Sequence, residues 1–219
     1  MYVPQGSRVA DIGTDHGYIP IWLVEQGIAA SALAMDVRKG PLLRAQEHIA
    51  QHGLEDRICT RISDGLTALE PGEADTVVIA GMGGELILKI LKNGGHVRKS
   101  VERWIFSPQS ELALFRHGLE ELGLSICRET MLCEDGKYYT VMMAEPGRMY
   151  YERECSYRYG DILIRQNDPV LREYLEKERR LLEQIRRQLS LRDTQGTRKR
   201  LAEVKQELRQ VQEAYHAMQ

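Results

Sequence analysis

Val9-Ala10-Asp11-Ile12-Gly13-Thr14-Asp15-His16-Gly17-Tyr18 is the stretch that decides the fold. It predicts a short buried strand that ends in an acidic, glycine-containing turn and leads directly into a helix. Such a turn places backbone N–H groups and the positive end of a helix dipole beside a bound nucleotide-like cofactor. Gly13 and Gly17 carry no Cβ, so the backbone can approach that cofactor closely.

The charge of this turn favours one type of cofactor. Turns that bind a pyrophosphate usually read G-x-G-x-x-G and lack acidic residues beside the phosphates. Here the spacing is G-x-x-x-G, and two carboxylates lie in the turn. S-adenosylmethionine has a sulfonium, an ammonium and no phosphate, so the turn favours this cofactor over a nicotinamide dinucleotide. The predicted cofactor contacts in this turn are Asp11, Gly13, Thr14, His16 and Gly17.

Three further predicted strands end in residues suited to the same cofactor. Asp36 follows the glycine turn by about 20 residues, the usual place of a carboxylate that accepts hydrogen bonds from ribose hydroxyls. Asp64 follows the next strand and could accept a hydrogen bond from the adenine amino group. An apolar strand, Thr76 to Ala80, then leads into Gly81-Met82-Gly83-Gly84. Ligands of open α/β sheets bind outside the carboxyl ends of the strands. The additional predicted cofactor contacts are Val37, Gly65 and Ala80.

Composition excludes several classes of protein. The chain has 219 residues and a net charge of −2, which argues against a generic nucleic-acid binder. It contains no apolar run near the roughly 20 residues that span a bilayer, and its first residues do not form a signal peptide. The four cysteines lack paired C-x-x-C spacing, so neither a zinc site nor a disulfide framework is predicted. We therefore expect a cytoplasmic protein with no metal and no membrane contact.

Two domains are predicted. Residues 1–147 alternate strand-like and helix-like segments and close with an antiparallel hairpin, which predicts an α/β, Rossmann-like, seven-stranded class I methyltransferase domain. Residues 148–219 are predicted to form a C-terminal antiparallel coiled-coil helical hairpin, with a turn at residues 193–197. Its apolar residues recur at heptad spacing, as in Leu175, Leu182 and Leu189, and in Leu201, Val204, Leu208, Val211, Tyr215 and Met218.

Four segments resemble the TrmK family of bacterial tRNA methyltransferases: VADIGTDHGYIP (9–20), AMDVRKGPLLRA (34–45), RISDGL (61–66) and VVIAGMGGELI (77–87). The segment YGDILIRQNDPVLREYL (159–175) resembles the start of that family's C-terminal coiled coil. The resemblance implies methylation of N1 of adenine 22 in tRNA, with S-adenosylmethionine as the methyl donor.

The sequence departs from the family pattern at two places. Family members usually carry a short helix with a basic residue before the first strand, whereas this sequence begins at Met1-Tyr2-Val3-Pro4, so that helix is expected to be absent or shortened. Where the family tends to read Gln-Pro-Asn after the fifth strand, this sequence reads Ser107-Pro108-Gln109.

The predicted chemistry depends on positioning. Adenine N1 has a free lone pair, so methyl transfer needs alignment rather than a general base. The base must first leave its stack and enter a pocket. Small residues at the Gly81 cluster let the base plane approach, and Tyr18 with either Tyr138 or Tyr139 would stack on it or line the pocket. The predicted catalytic residues are Gly81, Met82, Gly83 and Tyr138, and the predicted acceptor contacts in this domain are Tyr18 and Gln109.

The C-terminal helices carry a second set of predicted substrate contacts. Residues 1–150 hold 15 Lys and Arg against 20 Asp and Glu, whereas residues 151–219 hold 15 against 12. A basic hairpin could contact RNA phosphates, or it could serve only to dimerise the chain. We expect a monomer or a weak homodimer. Two other functions stay open: methylation of a small molecule or a protein, and RNA binding without catalysis. The predicted tRNA contacts are Arg179, Arg180, Arg186, Arg187, Lys199 and Arg200.

Overall fold

The computed structural model describes residues 2–191 and 195–218, which form seven strands and eight helices. The strands are Ser7–Ile12 (β1), Ala29–Asp36 (β2), Ile58–Ile62 (β3), Thr76–Ala80 (β4), Arg103–Ser107 (β5), Leu124–Glu134 (β6) and Lys137–Pro146 (β7). The helices are Tyr18–Glu25 (α1), Lys39–Gln51 (α2), Gly84–Asn93 (α3), Leu112–Glu121 (α4), Glu154–Tyr159 (α5), Asp161–Arg165 (α6), Pro169–Ser190 (α7) and Gln195–Ala217 (α8).

The seven strands form one sheet in the order β3-β2-β1-β4-β5-β7-β6. The pairs β1–β2, β2–β3, β1–β4 and β4–β5 are parallel, and β7 pairs with β5 in the antiparallel direction. The strand order reverses between β1 and β4, and such a reversal opens a crevice at the carboxyl ends of the strands. The predicted seven-stranded Rossmann-like domain is confirmed.

The chain divides into two compact units. One unit comprises the chain up to Arg128 together with Val141–Met149, and the other comprises Glu129–Thr140 and the chain from Tyr150 onward. The sequence predicts a single domain boundary after residue 147. In the structure, the tip of the β6–β7 hairpin belongs to the same compact unit as the C-terminal helices. Asp135 and Gly136 form this tip with φ values of 49° and 73°, as a tight hairpin turn requires.

The apolar core of the first unit fixes the helix that follows the glycine turn. Helix α1 has eight residues and no side-chain cap at its N-terminus, so it depends on packing rather than on its own helix propensity. Its residues Ile21 and Val24 are buried with Val9 of β1 and Ala34 of β2 in one cluster. Each such buried side chain contributes about 1.5–3 kcal/mol. This packing holds the start of α1 against the end of β1.

In the second unit, α7 and α8 pack in antiparallel orientation. The Arg172 guanidinium, near the start of α7, donates to the Met218 carbonyl at 3.2 Å and lies 5.2 Å from the Tyr215 ring centre, near the end of α8. Asp168 caps α7, because its carboxylate accepts hydrogen bonds from two first-turn N–H groups. The helical hairpin agrees with prediction, and its coiled-coil character stays a prediction.

Two details of the second unit differ from the sequence-based expectation. Helix α8 begins at Gln195, so residues 195–197 of the predicted turn are helical, whereas residues 193–194 lie outside the described residues. Leu181, which lies beside the predicted heptad position Leu182 on α7, is 55% exposed. The short helices α5 and α6 were not predicted. Their buried residues Cys155, Leu163 and Ile164 complete the cluster around α7 and α8, which a heptad pattern does not reveal.

None of the helices within residues 2–191 and 195–218 is long and apolar enough to cross a membrane.

Candidate cofactor and acceptor site

The parallel register brings the predicted site segments to one edge of the sheet. Asp11 on β1 pairs with Ala34 on β2 and with Val78 on β4. The N–H groups of Gly13 and Thr14 both donate to the Met35 carbonyl, at 2.7 and 2.9 Å. The acidic turn therefore lies directly beside the end of β2.

The next two strand ends join the same edge. The Ser63 N–H donates to the Asp36 carbonyl at 3.0 Å, which links the β3 end to the β2 end. On the other side of β1, the Gly81 N–H donates to the Ser107 carbonyl at 3.1 Å, which links the β4 and β5 ends. The four predicted motifs of the first unit thus follow neighbouring strands.

The turn after β1 requires left-handed backbone conformations. Gly13, His16 and Gly17 have φ values of 79°, 58° and 70°. Gly17 immediately precedes α1, and no side chain caps that helix. The first N–H groups of α1 are therefore available to a ligand, as at other helix N-termini that bind polar groups.

Asp11 is a buried carboxylate near the end of β1, just before this turn. It is 5% exposed, and burial raises its pKa from 3.8 to about 6, an effect that the neighbouring Thr14 side chain only partly offsets. Structural carboxylates inside a protein normally have a cationic or hydrogen-bonding partner. A desolvated acid in a crevice is typical of a functional site, and a cationic ligand would supply its missing counter-charge.

Replacing Asp11 by asparagine should stabilise the ligand-free protein near neutral pH. The folded state holds a proton on Asp11 up to about pH 6, whereas the unfolded chain loses it near 3.8, so wild-type stability falls as the pH rises through this interval. We expect a gain in the free energy of unfolding of about 1–3 kcal/mol above this interval and almost none below it, measured by denaturant unfolding at several pH values. Equal stability of the two proteins above pH 6 would contradict a strained, buried carboxylate.

One polar atom in the turn, His16 Nδ1, is buried without a hydrogen-bond partner among the described residues. The Thr14 side chain is 2% exposed, and its interaction with the Asp11 carboxylate lowers the pKa of that group. Buried polar atoms are nearly always hydrogen-bonded, so each exception needs an explanation. The polar amino-acid end of S-adenosylmethionine would supply partners at this position, and the residues present therefore fit that cofactor.

Asp36 and the apolar residues beside it suit a nucleoside. Asp36 is 7% exposed, and its Oδ1 accepts a hydrogen bond from the Arg38 N–H at 2.7 Å. Val37 and Ile62 are apolar but 59% and 50% exposed. An aromatic base would cover both side chains, with the exposed Asp64 near its edge. Apolar walls with a few polar groups are typical of small-molecule sites.

The glycine at position 65 has a packing explanation. Its φ is +59°, and a Cβ there would lie only 2.8 Å from Ile90 Cγ2 on α3. The close approach of α3 thus requires a glycine, and contact of Gly65 with the cofactor stays a prediction.

Of the predicted acceptor contacts, the structure brings Gln109 to the glycine cluster. The Gln109 N–H donates to the Met82 carbonyl at 2.8 Å, and a Cβ on Gly81 would lie 3.9 Å from Gln109 Nε2. A Cβ on Gly84 would lie 2.8 Å from the Ser110 carbonyl, so this close contact also requires a glycine. The Met82 side chain reaches back to the cofactor turn, where it would collide with any Cβ on Gly13.

Tyr138 belongs to the second unit and has partners there. Its hydroxyl donates to Glu173 at 2.9 Å, and Lys177 Nζ lies 5.0 Å from its ring centre. The hydrogen bond to Glu173 is the main cause that raises the Tyr138 pKa to about 12. These contacts account for a tyrosine at this position through packing within the second unit. Its catalytic role stays a prediction.

The predicted tRNA contacts on α7 and α8 fall into two groups. Arg179, Arg180 and Arg200 form ion pairs with glutamates on their own helices. Arg186, Arg187 and Lys199 are exposed, and none forms an ion pair with another described residue. The second group offers charge that is more readily available to phosphates.

Sequence reasoning missed the contribution of α2 to the turn. Arg44 Nη2 lies 3.4 Å from Asp15 Oδ1, and His48 Nδ1 lies 3.0 Å from the His16 carbonyl oxygen. The spacing of Arg44 and His48, four residues apart on one helix, puts them on the same face, but the pattern alone does not identify what that face contacts.

An apolar groove borders the same edge of the sheet. Its volume is about 720 Å³, and its lining comes from α1, α2, β4, β5 and β7 and includes Trp22, Ala80 and Ser107. Sequence reasoning assigned Ala80 to the cofactor and did not identify the groove.

The sheet order and the acidic strand ends define a class I methyltransferase fold, and residues 1–142 match the family model described as a methyltransferase domain. The solved Bacillus subtilis m1A22 tRNA methyltransferase TrmK is 32% identical, with a TM-score of 0.88, over 98% of this chain and 94% of that one. The chain belongs to the TrmK family.

Other relatives agree with this assignment. A Streptococcus pneumoniae structure, described as a candidate tRNA (m1A22) methyltransferase, is 33% identical, with a TM-score of 0.90, over 98% of this chain and 95% of that one. The same protein has been solved with S-adenosyl-L-methionine. The curated Bacillus subtilis tRNA (adenine(22)-N(1))-methyltransferase is 38% identical over 71% of this chain, and the match spans 64% of that protein.

Proposed function

We propose that this protein transfers a methyl group from S-adenosylmethionine to N1 of adenine 22 in tRNA. The observation that carries the proposal is the buried Asp11 carboxylate near the end of β1, which forms no ion pair with another described residue and lies beside Asp36 and the glycine cluster that follows β4. This edge offers negative charge to a cationic donor and close backbone approach to a base. Two relatives that share the whole fold are described as an m1A22 tRNA methyltransferase and a candidate one.

The residues of the first unit divide the work between donor and acceptor. Asp11, Thr14 and the turn N–H groups would hold the charged amino-acid end, and Asp36 would accept hydrogen bonds from the ribose hydroxyls. Bound S-adenosylmethionine supplies an electrophilic methyl group on a sulfonium. Gly81, Met82, Gly83 and Gln109 would orient the adenine ring, with N1 in line with that methyl group. The ring becomes positively charged on methylation, and the backbone carbonyls of this segment can stabilise that charge.

The acceptor is tested with unmodified tRNA transcripts. Methyl incorporation should be abolished when adenine 22 is replaced by guanine, and nucleoside mass spectrometry should find 1-methyladenosine only in the unaltered transcript. The control is a transcript with another exposed adenine replaced. Incorporation that ignores position 22 would contradict the proposed acceptor, and incorporation without RNA would favour a small-molecule or protein acceptor.

We also propose that the exposed basic residues where α7 ends and α8 begins contact tRNA phosphates. Lys199 lies near the N-terminus of α8, where positive charge opposes the helix dipole, so the placement suggests a role other than helix stability. Changing Arg186, Arg187 and Lys199 to glutamate should weaken tRNA binding about tenfold or more and flatten its salt dependence, while S-adenosylmethionine affinity stays constant.

The matched control changes Arg179 and Arg180, which already pair with Glu183 and Glu176, and should weaken tRNA binding less. Filter binding at several salt concentrations measures both variants. Unchanged tRNA affinity in the triple variant would leave the hairpin a structural or dimerising role. A cytoplasmic location and a monomer or weak homodimer stay predictions, and both are compatible with a tRNA substrate.

A further inference from the structure

His16 holds an unfavourable backbone conformation in the cofactor turn. Its φ of 58° lies in the left-handed region, which non-glycine residues rarely adopt because Cβ crowds the following carbonyl. Such residues persist only where their surroundings hold them, and they cluster at ligand sites. The adjoining Gly17 shares this conformation without the steric cost. The surroundings of His16 therefore determine whether the turn keeps its shape.

The contacts that hold His16 come from α2. His48 Nδ1 lies 3.0 Å from the His16 carbonyl oxygen. The two imidazole rings stack with centres 5.2 Å apart, and Tyr18 extends the cluster, its ring 5.3 Å from His16 and 5.6 Å from His48. Below them, a Cβ on Gly17 would lie 3.3 Å from Ala45 Cβ. One face of α2 thus covers the left-handed part of the turn.

The other contact from α2 is weaker. Arg44 and Asp15 approach to 3.4 Å, but their side chains are 46% and 68% exposed. Exposed ion pairs of this kind contribute little, because water screens the charges and both side chains lose freedom. His48 is half-buried and contacts both the backbone and the ring of His16, so it is the stronger restraint.

We propose that His48 is a positioning residue for S-adenosylmethionine, acting through the His16 carbonyl and ring to hold the turn in its binding conformation. The inference rests on the proposed placement of the cofactor at this turn. Because the His16 carbonyl oxygen can only accept, His48 Nδ1 is the donor in this hydrogen bond.

The test compares His48→Ala with His48→Asn. The alanine variant should raise the S-adenosylmethionine Kd about tenfold, because the free turn samples other conformations before binding. Its kcat at saturating cofactor should stay within about twofold of wild type, and its ligand-free Tm should change little. The asparagine variant should recover most of the affinity, because its side-chain N–H can reach the position of Nδ1. His52→Asn is the matched control, since His52 follows the same helix but pairs with Glu25.

Calorimetric titration, thermal unfolding and steady-state kinetics give the three readouts. Wild-type affinity in His48→Ala would overturn the inference, as would equal losses in the alanine and asparagine variants. A loss of affinity matched by a large fall in ligand-free Tm would assign His48 a purely structural role. The proposed site itself is tested by Asp36→Ala. If that variant loses affinity while His48→Ala does not, only the present inference fails.

Discussion

Replacing Asp36 by alanine should weaken S-adenosylmethionine binding about 100-fold or more, as measured by calorimetry near neutral pH. Asp36 is a 7% exposed carboxylate at the end of β2, beside the glycine turn. Two ribose hydroxyls that donate to one carboxylate form charge-assisted hydrogen bonds, each about twice as strong as a neutral one. Losing both corresponds to roughly 3 kcal/mol of binding free energy. The global fold should persist, because apolar packing rather than Asp36 holds β2 in the sheet.

Two controls separate ribose binding from a local structural role. Asp36→Asn keeps an oxygen that can accept the hydrogen bond from the Arg38 N–H, seen at 2.7 Å, but it loses the carboxylate charge. We expect it to lose about tenfold in affinity, between the alanine variant and wild type. Asp56→Ala makes the alanine change at an exposed loop residue and should change nothing. Full affinity in the asparagine variant together with a loss in the alanine variant would show that Asp36 only shapes the turn.

Replacing Gly13 by alanine should reduce both stability and cofactor affinity. Its φ of +79° is strained for any residue with a Cβ, and that Cβ would collide with Met82. The Met82 side chain can move, so the collision alone is tolerable, but the new methyl group would then occupy the crevice between the turn and the glycine cluster. We expect affinity to fall at least about tenfold and unfolding free energy to fall about 1–2 kcal/mol.

Gly27→Ala is the matched control for Gly13→Ala. Gly27 also has a positive φ, +65°, but nothing lies within 4 Å of a Cβ placed there. The Gly27→Ala variant should lose a similar amount of unfolding free energy in thermal unfolding, because its backbone is strained in the same way, but its Kd for S-adenosylmethionine should not change. If both variants bind the cofactor as well as wild type, the cofactor does not approach the backbone at Gly13.

The residues whose positions in the fold the sequence predicted best are those that a local pattern fixes. The stretch around Gly13 alternates from buried strand to turn to helix, and the structure has β1 and α1 at those positions. The acids Asp11, Asp36 and Asp64 lie at or just beyond the carboxyl ends of three neighbouring parallel strands, so the strand order alone requires them to share one edge. The residue types at Asp135-Gly136 likewise predict a tight hairpin turn, and both residues have the positive φ values that such a turn requires.

Other features depend on contacts between residues distant in the chain. No pattern around His48 indicates that its ring meets His16, 32 positions earlier, because the path of α2 over the turn decides this contact. The glutamates beside Arg179 and Arg180 are visible in the sequence, but only the structure shows that these ion pairs form. Heptad spacing predicted α7 and α8 but not α5 and α6, whose packing against them is tertiary.

The sequence by itself determined the sheet class, the acidic turn between β1 and α1 and the order of the strand ends, because each depends on residue spacing that local backbone geometry converts into structure. Only the tertiary structure decided that Asp11 is desolvated, that α2 restrains His16 and that the β6–β7 tip joins the helical unit. Burial and packing depend on contacts between segments that are far apart in the chain, and a local sequence pattern does not show which segments come into contact.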